Sequence, residues 1–250
     1  MRYEVREMSF AEILDTGFRL LRDHFVLLVV ISASLNVPLS FAQDLLTKAA
    51  EGNAGLLLGV GLGMLLLVVL ASPIIGVAST HAIGEVYLGR DVSIGDAFRK
   101  GLAILGPVLG TTLLSGLLVL GAMLLLVLPG IWVSLGLIVL SQVMVLEGLF
   151  GMEAIRRSLD LMKGQRWRAV GILFVVLLVQ SVVGFGVGAA VGSIPVLGAL
   201  GSGLVASVSG AYTAAVSVVL YFDIRCRKEA FEVEQLARIV EAGTARAAVS

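Results

Sequence analysis

From residue 169 to residue 222 the chain reads AVGILFVVLLVQSVVGFGVGAAVGSIPVLGALGSGLVASVSGAYTAAVSVVLYF, without one Asp, Glu, Lys or Arg. About 20 apolar residues in a helix cross the hydrocarbon core of a bilayer, so this stretch is long enough for two crossings. Gly192-Ser193-Ile194-Pro195 divides it, because glycine and proline together favour a turn. We therefore predict two transmembrane spans here, at about residues 169–191 and 197–221.

Uncharged stretches elsewhere in the chain predict four more spans. Residues 101–146 carry no charge and are divided by Leu128-Pro129-Gly130-Ile131. The four spans lie at about residues 24–43, 55–80, 106–128 and 131–147. A composition of 58% hydrophobic and 14% charged residues is also far from the average of water-soluble domains. The fold class predicted is an all-α integral membrane protein with six transmembrane helices, forming one membrane domain over residues 1–250.

Basic residues are distributed unevenly between the two sides of these spans. Of the 18 Lys and Arg residues, only Lys48 falls on the side of the three short turns. The positive-inside rule then predicts that both termini are cytoplasmic, and we expect a multi-pass protein of the bacterial inner membrane. The formal net charge is zero, so we expect no nucleic acid as a partner. Membrane lipids are the expected partners, because several Lys and Arg residues lie next to the spans.

A similar segment precedes each odd-numbered span, beginning at Ser9, Ser93 and Phe150. Aligned without gaps, the three segments share an acidic position and a small-residue position, occupied by Glu12, Asp96 and Glu153 and by Gly17, Gly101 and Ser158. Their apolar residues recur at helical spacing, which predicts amphipathic helices in the cytoplasmic interface. The chain then consists of three transmembrane hairpins, each preceded by such a helix, in repeat-like units at about 9–88, 93–148 and 150–222, followed by a cytoplasmic tail at 223–250. The alternative is that shared helical periodicity alone produces the match.

The second half of the chain carries motifs that resemble a known family. These motifs are Leu128-Pro129-Gly130-Ile131-Trp132, Val145-Leu146-Glu147-Gly148, Ala154 through Arg168, and Tyr221-Phe222-Asp223-Ile224-Arg225. They look like the membrane domain associated with glycerophosphoryl diester phosphodiesterases, and like related uncharacterised six-span bacterial inner-membrane proteins. The resemblance covers most of residues 93–235 and implies no catalytic role for these motifs.

We do not carry over the enzymatic activity in that family's name. The phosphodiesterase barrel to which such a membrane unit is joined has no counterpart in this chain, and metal-dependent hydrolysis requires paired histidines and clustered carboxylates. Only Cys226, His24 and His81 could supply thiolate or imidazole ligands. We expect no catalytic residues, no metal site and no cofactor.

Basic residues between spans four and five are candidates for binding lipid headgroups. They are Arg156, Arg157, Lys163, Arg166 and Arg168. The alternative is that these charges only keep the loop in the cytoplasm.

Trp132 and Trp167 fit opposite membrane interfaces as anchors. At the base of span six we expect Asp223 to pair with Arg225 and Glu229 with Lys228. The tail from Glu229 to Glu241 looks like a short amphipathic helix.

Polar residues in the first two spans are candidates for a transport pathway. They are Asn36 and Gln43 in span one, with His81 and Glu85 at one end of span two. The alternative is that Asn36 and Gln43 form hydrogen bonds between helices. His81 and Glu85 would then be a pair at the membrane interface, with access to water and lipid headgroups.

Small residues at four-residue spacing predict close helix packing. The candidates are Gly184, Gly188 and Gly192 in span five, with Gly203, Ser207 and Ala211 in span six. They fit packing within one chain, and the alternative is the contact face of a homo-oligomer.

Three functions remain open from the residues. The first is a non-enzymatic protein that organises or senses lipid. The second is a small transporter or channel, and the third is the membrane subunit for a separate protein partner. The sequence does not name a substrate or a lipid.

Overall fold

The computed structural model describes residues 7–50, 52–191 and 195–247, and the side chains of most residues from 7 to 229. All regular secondary structure in these ranges is helical. Six helices are long and apolar enough to cross a membrane, which confirms the prediction of an all-α fold with six candidate spans. The six spans are Phe25–Leu46, Gly55–Tyr87, Leu105–Leu125, Val127–Glu147, Arg166–Ala190 and Leu200–Glu229.

Short helices alternate with the long ones along the described chain. The α-helices in chain order are α1 (Phe10–Asp23), α2 (Phe25–Ala49), α3 (Ala54–Tyr87), α4 (Ile94–Ala103), α5 (Leu105–Leu125), α6 (Val127–Gly136), α7 (Leu140–Gln142), α8 (Gly151–Leu161), α9 (Arg166–Val191) and α10 (Pro195–Ala247). A π-helix, Val143–Glu147, follows α7 directly. The predicted helix at Glu229–Glu241 is not a separate element, because α10 continues from the sixth span to Ala247.

The turn between spans three and four lies at Leu126. The prediction placed it later, at residues 128–131, and this position was wrong. Leu126 is extended, with φ −160° and ψ 135°. Pro129 lies in the first turn of α6, where backbone N–H groups have no partner within the helix and the missing one leaves no bond broken. The other predicted division agrees with the structure, since α9 ends at Val191 and α10 begins at Pro195.

Span four is interrupted halfway. α6 ends at Gly136, and a short turn leads through α7 into the π-helix. The π-helix ends at Gly148, which has a φ of 70°, a left-handed conformation that glycine adopts without steric cost. This interruption brings the π-helix against α3 and α8 and aims the side chain of Glu147 at α8 and α10.

α10 forms the interior of the helix bundle. It contacts α1, α2, α3 and α9, and its Ala211, Ala215 and Val219 are buried. Within the most apolar window of each span, 44% of span six is buried, against 6% of span two. Span two therefore faces outward along most of its length, as an apolar helix in contact with lipid would.

The three short helices α1, α4 and α8 bury equivalent positions of the aligned segments. The residues at these positions are Ile13, Ala97 and Ala154, and four residues later Gly17, Gly101 and Ser158. Side-chain caps begin two of these helices. Ser9 and Glu12 form a reciprocal capping box on α1, and the Ser93 hydroxyl accepts from the Asp96 amide on α4. No side-chain cap begins α8 at Phe150.

Each of these short helices packs against a different even-numbered span. The small residue at the second buried position makes the contact: Gly17 with Val216 of α10, Gly101 with Ile74 of α3, and Ser158 with the Gly136 carbonyl of α6. α4 and α8 thus pack on the span that precedes them in the chain, and α1 packs on the last span. The contact of α1 with α10 joins the first short helix to the last span. Together with the contacts of α4 and α8, it closes a ring of helix contacts along the chain.

The even-numbered spans end, and the odd-numbered spans begin, at the same end of the bundle. The Tyr87 and Phe222 rings stack there with their centroids 4.9 Å apart. The Met8 amide donates to Asp223 at 2.7 Å, and the Tyr221 hydroxyl donates to Glu147 at 2.7 Å. We call this end, defined by Tyr87, Glu147, Tyr221 and Asp223, the charged end.

Candidate functional site: the charged end

One cluster of charged side chains surrounds Glu147, which is mostly buried. The Arg157 guanidinium donates to both Glu147 carboxylate oxygens at 2.8–3.1 Å and to Glu229 at 2.7 Å. Arg225 donates to Glu229 at 2.9 Å. With the Tyr221 hydroxyl, these residues form the Glu147 cluster, in which two acids balance two bases. The hydrogen bonds with Glu147 raise the pKa of Arg157 above its ordinary value, so this guanidinium stays charged.

A second cluster surrounds Asp223, whose side chain is completely buried. Its carboxylate accepts from the Met8 amide at 2.7 Å and from Arg227 Nε at 3.2 Å, and lies 3.2 Å from Arg168. Both arginines also donate to the Met8 carbonyl. The Asp223 cluster thus ties the segment before α1 to α9 and α10.

The two clusters correct the pairing expected at the base of span six. Asp223 pairs with Arg227, and Arg225 pairs with Glu229, instead of Asp223 with Arg225. Residues four apart share a helix face, whereas residues two apart do not. The expected partner of Glu229, Lys228, donates instead to the Asp160 carbonyl of α8.

The five lipid-headgroup candidates occupy different environments. Arg157 belongs to the Glu147 cluster and Arg168 to the Asp223 cluster. Lys163 makes an exposed ion pair with Asp160, and the Lys163 ammonium lowers the pKa of that carboxyl. Arg156 is exposed, and it has no partner among the described residues. Arg166 lies over an aromatic ring, that of Trp132.

A cavity of about 360 Å³ is lined by Trp132, Lys163, Gly164, Arg166 and Trp167, and we call it the Trp132–Trp167 cavity. The Arg166 guanidinium carbon lies 4.3 Å from the centroid of the Trp132 ring, a cation–π contact. The expectation that the two tryptophans lie at opposite interfaces is therefore wrong. α6 has only ten residues between the turn and Gly136, so Trp132 comes close to the start of α9.

The transport candidates are not brought together in one polar cavity. The Asn36 carbonyl in the middle of α2 accepts from Ser40 at 2.8 Å, whereas Gln43 is exposed two turns closer to the end of that helix. Glu85 pairs with Arg90 at 3.3 Å, and His81 is half-buried on α3. None of these four residues lines the Trp132–Trp167 cavity or three further cavities of the described chain.

Those three cavities are apolar grooves between long helices. The largest, about 650 Å³, lies between α2 and α3 at Leu46, Gly59 and Met64. Another, about 460 Å³, lies at Ser115 and Leu137, where α5 faces the fourth span. The third, about 230 Å³, lies between α9 and α10.

The packing candidates divide between the two helices that carry them. Gly203 approaches α2 so closely that a Cβ would lie 3.0 Å from Val37 Cα, and Ser207 and Ala211 are buried. Gly184 and Gly188 instead line the cavity of about 230 Å³ between α9 and α10. A Cβ at either would meet nothing within 4 Å in the described chain, and Gly192 lies outside the described residues.

Sequence reasoning missed Glu147, Tyr221 and Asp223 as the centres of the two clusters. They were quoted only as parts of motifs, and their partners lie as far as 215 residues away along the chain. Acids adjoining an uncharged span were the available signal, since such a group requires a counter-charge when it is buried.

Comparison with known proteins adds no relative. No family model matches the chain, no curated protein matches it, and no solved structure matches its fold. In the described part of the chain, no group of three or more His, Cys, Asp and Glu side chains could hold a metal ion.

Proposed function

We propose that the protein is a non-enzymatic multi-pass membrane protein that organises or senses anionic lipid at the cytoplasmic face of a bacterial inner membrane. In this proposal the six spans form three hairpins, each preceded by an interfacial amphipathic helix, α1, α4 or α8. Both termini and the charged end lie in the cytoplasm, in keeping with the one-sided distribution of Lys and Arg.

The observation that carries the proposal is a contrast among the basic residues beside α8 and α9. Arg157 and Arg168 are neutralised within the fold by Glu147 and Asp223. Arg156 and Arg166 have no carboxylate partner among the described residues. Basic side chains beside a span attract anionic headgroups by about 1 kcal/mol each. The two arginines that the ion pairs of the fold do not use are therefore the ones available to lipid.

Residues that resemble the glycerophosphoryl diester phosphodiesterase membrane domain have structural roles compatible with this proposal. Glu147, Arg157 and Tyr221 hold the π-helix, α8 and α10 together. A membrane unit built in this way also suits a subunit that anchors a separate protein partner. We propose such a partner as a second function of the same charged end.

Lipid counting tests the proposed function directly. The protein is extracted from its membrane in mild detergent, and bound lipids are identified and counted by native mass spectrometry. We expect phosphatidylglycerol or cardiolipin to be enriched over their fraction in the surrounding membrane. Bound lipid of the same composition as the membrane contradicts the proposal.

Flux measurements test the alternative of a small transporter or channel. The protein is reconstituted in sealed proteoliposomes, and ion and proton flux is compared with that of protein-free liposomes. Flux that is lost in Asn36→Leu or Glu85→Gln would favour the alternative. We expect no flux above that of protein-free liposomes, because neither Asn36 nor Glu85 lines one of the four cavities.

A further inference from the structure

The Trp132–Trp167 cavity combines apolar and cationic walls. The chain has only two tryptophans, and both line this cavity. Trp167 is 73% exposed and Trp132 is 50% exposed, although each carries a large apolar ring. Indole rings with this exposure beside a span are typical of the headgroup level of a bilayer.

The two cations of the cavity differ in how the fold holds them. Arg166 is fixed between the Trp132 ring and Gly136, whose added Cβ would lie 3.3 Å from the Arg166 Nη2 atom. Its Nε is buried and has no acceptor in the described part of the chain. Lys163 is paired with Asp160, but both side chains are more than half exposed. Exposed pairs of this kind contribute little, so Lys163 can exchange its carboxylate for another anion.

We infer that this cavity is a binding site for the phosphate group of an anionic phospholipid, held between Lys163 and Arg166. The inference rests on the proposed function and assigns it to one site. The indoles of Trp132 and Trp167 contact the glycerol and the upper acyl chains, since an indole has an apolar body and one polar N–H.

The size and charge of the cavity suit this ligand. Its volume of about 360 Å³ accommodates a phosphoglycerol headgroup and leaves the acyl chains outside. Gly164 turns with a φ of 81° and adds no side chain to the wall. A zwitterionic headgroup would bring its own cation toward Lys163 and Arg166, whereas phosphatidylglycerol brings only the phosphate. The site therefore selects anionic over zwitterionic lipid.

Intrinsic fluorescence tests the site, because all tryptophan emission of the protein comes from the walls of this cavity. The purified protein is titrated in detergent with phosphatidylglycerol brominated on its acyl chains, and separately with the phosphatidylcholine equivalent. Bromine quenches indole emission on contact. We expect quenching by phosphatidylglycerol at several-fold lower concentration. Equal quenching by the two lipids overturns the inference.

Substitution of the two cations identifies which residues select the lipid. Lys163→Gln and Arg166→Gln should each reduce the preference for phosphatidylglycerol about fivefold, the factor expected for one headgroup contact. Arg99→Gln is the matched control, since it removes the same charge from an exposed position on α4, outside the cavity. We expect the control to keep the wild-type preference. An equal loss in all three variants overturns the inference, because it would reflect net charge alone.

Two further arms separate the remaining explanations. Inorganic phosphate and glycerol 3-phosphate are tested as competitors, and competition at millimolar concentration would identify a soluble phosphate compound as the ligand instead of lipid.

If native mass spectrometry shows anionic lipid enriched equally on wild type and on Lys163→Gln, the proposed function stands and this site is wrong. If wild type shows no enrichment, the proposed function itself fails. Thermal unfolding of each variant checks folding, and Lys163→Gln at an exposed position keeps the test valid if Arg166→Gln does not fold.

Discussion

Arg157 and Glu147 are joined by three hydrogen bonds of 2.8–3.1 Å between α8 and the π-helix. The adjacent Arg156 is exposed and has no partner among the described residues. Two neighbouring arginines with the same local sequence context therefore have different roles. Arg157 stabilises the fold, and Arg156 is free to face the membrane surface or water.

Arg157→Ala should destabilise the protein by about 2–4 kcal/mol, because it leaves the mostly buried Glu147 carboxylate without its counter-charge. Arg156→Ala should change stability by less than about 0.5 kcal/mol, as is usual for exposed positions. Unfolding of both variants in detergent, followed by circular dichroism, measures the difference. Similar stability of the two variants would show that the Glu147 pair does not hold α8.

Asp223→Asn should be more damaging than its conservative chemistry suggests. The amide keeps the size of the side chain but leaves Arg168 without a carboxylate partner among the described residues, and leaves Arg227 with Glu7 alone. We expect a loss of about 3–5 kcal/mol, measured as a lower unfolding temperature. Asp160→Asn is the control, since its carboxylate is exposed and pairs only at the surface. Wild-type stability in Asp223→Asn would rule out a stabilising role for the cluster.

Gly101→Ala should destabilise the contact between α4 and α3. A Cβ there would lie 2.8 Å from the Ile74 carbonyl oxygen, a backbone atom that cannot move aside alone. Gly59→Ala provides the comparison, because nothing lies within 4 Å of its added Cβ and alanine favours a helix by about 1 kcal/mol. We expect the unfolding temperature to fall in the first variant and to stay level or rise in the second. The opposite order would mean that α4 does not pack on α3 in this way.

Cysteine labelling tests the membrane orientation. In a Cys226→Ser background, Lys48→Cys and Lys163→Cys place one thiol on each predicted side of the membrane. A membrane-impermeant maleimide added to intact cells should label only the first, and both after permeabilisation. Labelling of Lys163→Cys in intact cells would place the charged end outside the cytoplasm.

The six spans could be predicted from the sequence because the absence of charge over about 20 residues is a local property. The turn at Leu126 could not be located as well, since Pro129 is equally acceptable in a turn and in the first turn of a helix. The interruption of span four was also missed. Nothing local marks it except Gly136, which Leu159 and Arg166 of other helices approach so closely that an added Cβ would lie 3.3 Å from Arg166 Nη2.

The charged residues were recognised as a group but not sorted by role. Whether Arg157 or Arg156 meets Glu147 depends on the direction in which the π-helix aims that carboxylate. The ion pair and hydrogen bond of Asp223 likewise involve Arg168 and the Met8 amide, and no sequence spacing connects these residues with Asp223. Short-range pairs such as Arg227 with Asp223 were within reach, because four-residue spacing on a helix predicts them.

The closed ring of contacts has a consequence for how the protein is made. The Tyr212 hydroxyl of α10 donates to the Leu14 carbonyl of α1, across 198 residues of the chain. Among the described helices α1 is synthesised first, and its partner α10 leaves the ribosome last. The part of α1 that packs on α10 therefore waits for its partner until α10 is made, whereas α4 and α8 follow their partners at once. Assembly finishes only when the last span is inserted, so a chain truncated before α10 leaves the first helix without its binding surface.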